Sequence, residues 1–263
     1  MFPGEGSYAF IMGIISGYPV GAKIINKFIE DGTCTKSEAE RMLAFTNNSG
    51  PLFIIGTVGI SLFGDATIGA ILFVTHLLAC ITVGLIFGFI SKYNWNWIKS
   101  KRNYRNDAYS NSYNISDLGT ILSNSITNSI STILLIGGFI VLFSIIISIL
   151  NSLNFIDFIA GVFYNIGIPL EYGKSILTGL LELTNGVNAV SAIHTKHMSS
   201  QIIASAFLLG FAGFSIFLQI FSIASKNNLS MKPYFIGKIF QGLLAAFYTF
   251  VILKYFNYFY FDF

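Results

Sequence analysis

Two short stretches, Ser16-Gly17-Tyr18-Pro19-Val20-Gly21 and Asn47-Asn48-Ser49-Gly50-Pro51, interrupt sequence that is otherwise apolar enough for a bilayer. Helix breakers there are costly, because hydrocarbon offers no partner for the freed N–H and C=O groups. They persist only inside protein or along a watery cavity. Interrupted helices of this kind often form the binding site of a transporter. The expected fold is therefore all-α: a polytopic membrane protein with broken helices, re-entrant hairpins and a central polar site. Of the 263 residues, 54% are hydrophobic and 10% charged, against roughly 25% charged in soluble domains. The net charge of +3 gives no reason to expect a nucleic acid partner. Cys34 and Cys80 lack metal or disulfide spacing and read as small apolar fillers. The start, Met1-Phe2-Pro3-Gly4-Glu5, lacks the basic region of a cleavable signal peptide.

Long apolar runs predict spans over about 67–90, 121–150, 202–224 and 234–254, with a weaker one over about 42–64 that is broken at 47–51. The polar residues of 123–129 predict an interfacial start for the second of these. Two interrupted segments, about 8–29 and 172–193, fit either a hairpin or a full crossing, and 153–168 reads as an interfacial or packing helix. Lys92, Lys99, Lys101, Arg102 and Arg105 place the loop 91–118 in the cytoplasm, with Trp95 and Trp97 in the aromatic belt beside it. That loop divides the chain into a first repeat (1–90) and a second (172–263), joined through 119–171. Each repeat has an interrupted segment and then two spans, and the odd connecting span makes the repeat inverted.

The break at 47–51 is the first candidate site. Pro51 suits the first helical position, with Ser49 or Gly50 as cap. A half-helix starting there would aim its positive end, and free N–H groups, at an anionic group. Carbonyls near Thr46 would accept a cation or a donor. Asn47 and Asn48 both donate and accept, which suits a neutral polar solute. Gly17, Tyr18 and Pro19 form a candidate hairpin tip. Lys23, just beyond it, is expected to pair with a carboxylate such as Glu182 or to snorkel. Glu182 is an acidic residue in an apolar stretch, and such residues usually face a cavity or a partner. Either it completes the polar site with Thr184, Asn185 and Asn188, or it caps a helix. The two motif regions are expected to meet in the fold. His194 and His197 lack a third ligand, so no metal is expected. His76 reads as an interhelical hydrogen-bonding residue, Asp65 as a turn residue, and Thr35 or Ser37 as the cap of a helix in 30–43. No nucleophile triad, phosphate-binding loop or paired acids are present, so neither an enzyme nor a cofactor is expected.

Ser16 to Lys23, Glu38-Ala39-Glu40-Arg41 and Phe45 to Ile54 together resemble the YlbJ-type sporulation integral membrane proteins, within the nucleoside-recognition or "Gate" domain group. Gly179-Leu180-Leu181-Glu182-Leu183-Thr184-Asn185-Gly186 looks like the second family motif. The resemblance implies a multi-pass cell-membrane protein of spore-forming bacteria, needed for normal spore formation, plausibly of the cortex. It implies a transporter-like protein for a small polar solute or, alternatively, a scaffold for spore-envelope proteins or a nucleoside or metal-ion carrier. A second copy of the chain is a further candidate partner. The family usually has helices before the first motif.

Overall fold

The computed structural model describes residues 4–93, 118–194 and 198–256. The basic loop, with Trp95 and Trp97, falls almost wholly outside these residues, as does His197. The described residues form helices and connections, with no strand among them. Among the described residues, four helices are long and apolar enough to cross a membrane: Ala66–Ile90, Leu118–Ser152, Ser199–Asn227 and Lys232–Tyr255. They coincide with the four confident spans of the sequence reading.

Both interrupted segments are hairpins. The first pairs α1 (Glu5–Ser16) with α2 (Val20–Glu30). The rings of Tyr8 and Phe28, near the open ends, have centroids 6.4 Å apart. The turn uses Gly17 at φ 74° and a cis Tyr18–Pro19 bond. The second pairs α7 (Leu170–Leu181) with α8 (Leu183–Ser191), and the chain reverses at an extended Glu182. The reversal brings Gly186 onto Gly179: a Cβ built on Gly186 would lie 1.9 Å from the Gly179 Cα. That spacing requires glycine.

Each hairpin leads into a helix that breaks. After α2, a capping box starts α3 (Lys36–Thr46): the Glu38 N–H donates to Thr35 Oγ1 at 3.3 Å and the Thr35 N–H to Glu38 Oε2 at 2.9 Å. The chain then runs extended from Asn47 and re-enters helix at Leu52–Leu62, followed by α4 (Ala66–Tyr93). Asp65 makes the turn before α4, accepting from the Thr67 N–H at 2.6 Å. The Leu52–Leu62 segment is π-helical rather than the expected α half-helix, and Pro51 is its N-cap residue. Ser49 does not cap it, and the Gly50 carbonyl takes the N–H groups of Phe53 and Ile54. Local backbone thus satisfies donors that had been assigned to an anion.

In the other half, α9 (Ser199–Phe211) and α10 (Gly213–Ala224) meet at Ala212 (φ 75°) and Gly213 (φ 81°). The described residues close with α11 (Lys232–Phe256). The order hairpin, broken helix, span therefore occurs in both halves. Between them lie α5 (Leu118–Ser152) and the short apolar α6 (Phe155–Asn165).

Backbone contact locks each hairpin to a break. Gly13 and Gly21 close on the Thr46 carbonyl, where Cβ atoms would come to 1.9 and 2.3 Å. Gly17 packs on Gly50, and Gly213 packs on the Gly179 carbonyl and the Leu183 N–H. Small residues let membrane helices approach this closely. Helix α11 lies at the centre against α3, α4 and α9. Gly237 meets Ala44 and Gly242 meets Phe207 at the α3 and α9 contacts.

Candidate functional site

The two motif regions meet, as expected. A 480 Å³ cavity is lined by Gly17 and Tyr18 of the first hairpin tip, Ser49 and Gly50 of the break, and Glu182 and Thr184 of the second tip. Helix α5 contributes Ile136 and Ile140, and α10 contributes Ser215 and Gln219. The lining is largely apolar with polar groups at a few points, which is the usual build of a small-molecule pocket. Three of those polar atoms are buried without a hydrogen bond among the described residues: Tyr18 OH, Ser49 Oγ and Gln219 Oε1. The Tyr18 and Ser49 hydroxyls come near each other but not in hydrogen-bonding geometry. Buried polar groups are usually paired, so three unpaired ones on side chains that line one cavity set this region apart.

Glu182 is both a lining residue and a cap. Its carboxylate accepts the N–H groups of Thr184 at 3.1 Å and Asn185 at 2.7 Å. This fills the N-terminus of α8, where a carboxylate is electrostatically favoured. Each oxygen keeps lone-pair capacity beyond the one N–H that it accepts. Asn185 turns away from the cavity and its amide donates to Ser144 Oγ on α5 at 2.8 Å. Asn188 is exposed and Pro19 stands behind the tip; neither lines the cavity. Lys23 does not reach Glu182. It is half-buried and its ammonium donates to Thr132 on α5. The hairpin places Lys23 on α2, one turn past the tip, so its side chain meets the neighbouring helix rather than the cavity.

Asn47 and Asn48 lie behind the cavity wall, fully buried. Asn48 uses all of its hydrogen-bonding capacity. Its amide N–H groups donate to the Phe45 carbonyl at 2.7 Å and to Cys80 Sγ at 3.0 Å. Its Oδ1 accepts from Gln241 Nε2 at 2.9 Å and from Lys238 Nζ at 3.4 Å. Lys238 also donates to the Asn47 carbonyl at 2.6 Å and to Gln241 Oε1 at 2.9 Å. The Asn47 amide approaches Tyr234 OH at 3.5 Å. These amides therefore hold the break open within the protein, tied to α11 and α4.

Several of these residues escaped the sequence reading. Lys238 lies well inside the predicted 234–254 span, and Gln241 follows one turn later. The rule that singled out Glu182, an ionisable residue in a membrane segment, selects Lys238 equally well. Cys80 is buried, as a filler would be, but its thiol also donates to the Phe45 carbonyl at 2.7 Å. Ser215 and Gln219 share a face of α10 and are polar positions in an apolar run. His76 is not the expected interhelical partner: neither ring nitrogen has a hydrogen bond among the described residues. His194 is exposed at the end of α8.

No family model matches the chain, and no solved structure matches it. The sporulation integral membrane protein YlbJ of Bacillus subtilis (strain 168) is 32% identical over 265 residues. The match takes in 96% of this chain and spans 65% of the length of that relative. With its apolar spans and this similarity to YlbJ, the chain is a multi-pass integral membrane protein.

Proposed function

We propose that the protein is transporter-like, moves a small polar solute through the cavity between its two hairpin tips, and in doing so serves formation of the spore and its cortex. The observation that carries this reading is the convergence of two interrupted segments, far apart in sequence, on one cavity with three unpaired polar atoms, Tyr18 OH, Ser49 Oγ and Gln219 Oε1. In this reading the two halves are an inverted repeat around the cavity, with the loop 91–118 on the cytoplasmic side. The solute offers hydroxyl or amide groups to the unpaired atoms and to Glu182, and no chemical step or cofactor is involved. The resemblance to the nucleoside-recognition group makes nucleosides one class to try.

The test is uptake of a panel of radiolabelled small polar solutes, nucleosides included, into proteoliposomes holding purified protein. At least one solute is expected to enter faster than into empty vesicles. Glu182→Gln and Gln219→Leu should each slow it roughly tenfold, the ratio that about 1.4 kcal/mol of lost polar contact gives. No uptake above empty vesicles for any member of the panel would favour a non-transporting scaffold for spore-envelope proteins.

A further inference from the structure

The break at 47–51 holds a second arrangement, apart from the cavity. Lys238 is only 2% exposed. Its acceptors are all neutral: the Asn47 carbonyl, Gln241 Oε1 and, at the long end of the range, Asn48 Oδ1. The ring centroids of Tyr18 and Tyr234 stand 5.5 and 5.7 Å from Nζ, within cation–π range. A neutral amine has two N–H donors and a lone pair, and would set that lone pair against one of three oxygens. An ammonium has three donors and fits.

Desolvating a cation without a counter-charge is unfavourable, and a neutral donor would bridge the same oxygens at less cost. What the site offers to positive charge is specific. Helix α3 ends at Thr46, so the negative end of its dipole points at the Asn47 carbonyl. A peptide carbonyl at the end of a half-helix, with amide oxygens beside it, is a coordination set that membrane proteins use for monovalent cations. The titratable neighbours, Tyr18, Tyr234, Cys80 and His76, bring no carboxylate to replace it.

We propose that Lys238 is a tethered cation: its ammonium fills an oxygen-lined monovalent-cation site in the broken helix, so the protein holds Asn47–Gly50 unwound without binding sodium or potassium. The oxygen cage stands independently of the transport reading. Only its corollary, that solute flux needs no sodium, rests on that reading.

The experiment is thermal unfolding of the purified full chain in detergent, in sodium, n-propylammonium or choline chloride at equal ionic strength. The wild type is expected to melt at the same temperature in all three. Lys238→Ala should melt lower in choline and recover by several degrees in sodium and in n-propylammonium, which restores the atoms removed beyond Cβ. Lys238→Met, which fills the space with an uncharged chain, should melt lower and respond to no cation. Equal melting of Lys238→Ala in the three salts would reduce Lys238 to an internal cross-link and overturn the proposal. So would a sodium-specific rise in the wild type, or a Lys238→Ala protein that folds in none of the three salts. Where flux is measurable, wild-type rates should be equal in sodium and choline. Absent flux would count against the proposed function while the melting comparison still decides the cage.

Discussion

Replacing Gly13 by alanine is expected to destabilise the protein by about 2 kcal/mol, despite alanine's helix propensity. The new Cβ would sit 1.9 Å from the Thr46 carbonyl oxygen and 3.1 Å from its carbon. Both are backbone atoms at the end of α3, so no flexible side chain can yield. Relief requires the α1–α2 hairpin to lift from the break, which also separates Gly17 from Gly50 and opens the tip side of the cavity. Overpacking of this kind costs about 1–3 kcal/mol and occasionally more, whereas alanine gains about 1 kcal/mol over glycine in a helix interior. The steric term wins. Gly138→Ala on α5 is the internal comparison. Nothing lies within 4 Å of its added Cβ, so only propensity acts and the change should be neutral or slightly stabilising. Thermal unfolding in detergent would read the pair, with Gly13→Ala lower by roughly 5–10 °C. Equal melting temperatures for the two variants would show that the hairpin does not bear on the break.

Asn48→Leu is expected to have an effect of similar size for a different reason. Leucine keeps the branched shape but removes two donors and an acceptor from a buried network. Gln241 Nε2 then loses its acceptor, Lys238 loses one of its three oxygens, and the Phe45 carbonyl loses the amide donor. A buried orphan donor or acceptor costs about 1–3 kcal/mol, so the total is about 3 kcal/mol. Asn48→Asp keeps the acceptor beside Lys238 and should lose less. Chemical or thermal unfolding of the three proteins gives the order wild type, Asn48→Asp, Asn48→Leu. An Asn48→Leu protein as stable as the wild type would mean that the amide does not hold the unwound segment.

How far the fold was legible follows from where each signal is local. The broken segments were legible because Gly17, Pro19, Asn47, Asn48 and Pro51 stand in apolar sequence, where their cost is visible residue by residue. Charge counting left hairpin and crossing open for 8–29 and 172–193. That choice depends on Gly13 meeting Gly21 across a turn and Gly186 meeting Gly179, contacts that spacing permits but does not impose. Glu182 was read both as cap and as site residue, and it has both positions: two N–H groups on its oxygens and a place on the cavity wall. Of the two expectations for Lys23, pairing with a carboxylate such as Glu182 or snorkelling, the pairing fails because a long side chain near a hairpin tip reaches several helices, and the packing of α5 selects Thr132. Lys238 escaped the sequence reading although an ionisable residue inside an apolar span is a site candidate. Two of its three acceptors, on Asn47 and Asn48, lie some 190 residues away in the chain, beyond the reach of any local pattern. The anion expected at Pro51 failed on a local detail: the Gly50 carbonyl already takes the N–H groups of Phe53 and Ile54.

The central claim is that peptide from both halves faces one solvated chamber, and cysteine accessibility tests it most directly. The native thiols make a quiet background, since Cys80 is buried and burial, reinforced by Glu38 and Glu5, pushes the Cys34 thiol up to about 12. Ser49→Cys, Thr184→Cys and the double variant would be reconstituted in vesicles and treated with a small membrane-impermeant cationic thiosulfonate, then with a short bifunctional one. Both single variants should react, the double variant should cross-link within one chain, and Ile133→Cys, on an exposed apolar face of α5, should stay unmodified. If positions 49 and 184 are as inert as 133, or react without ever cross-linking, the two breaks do not share a chamber and the account is wrong.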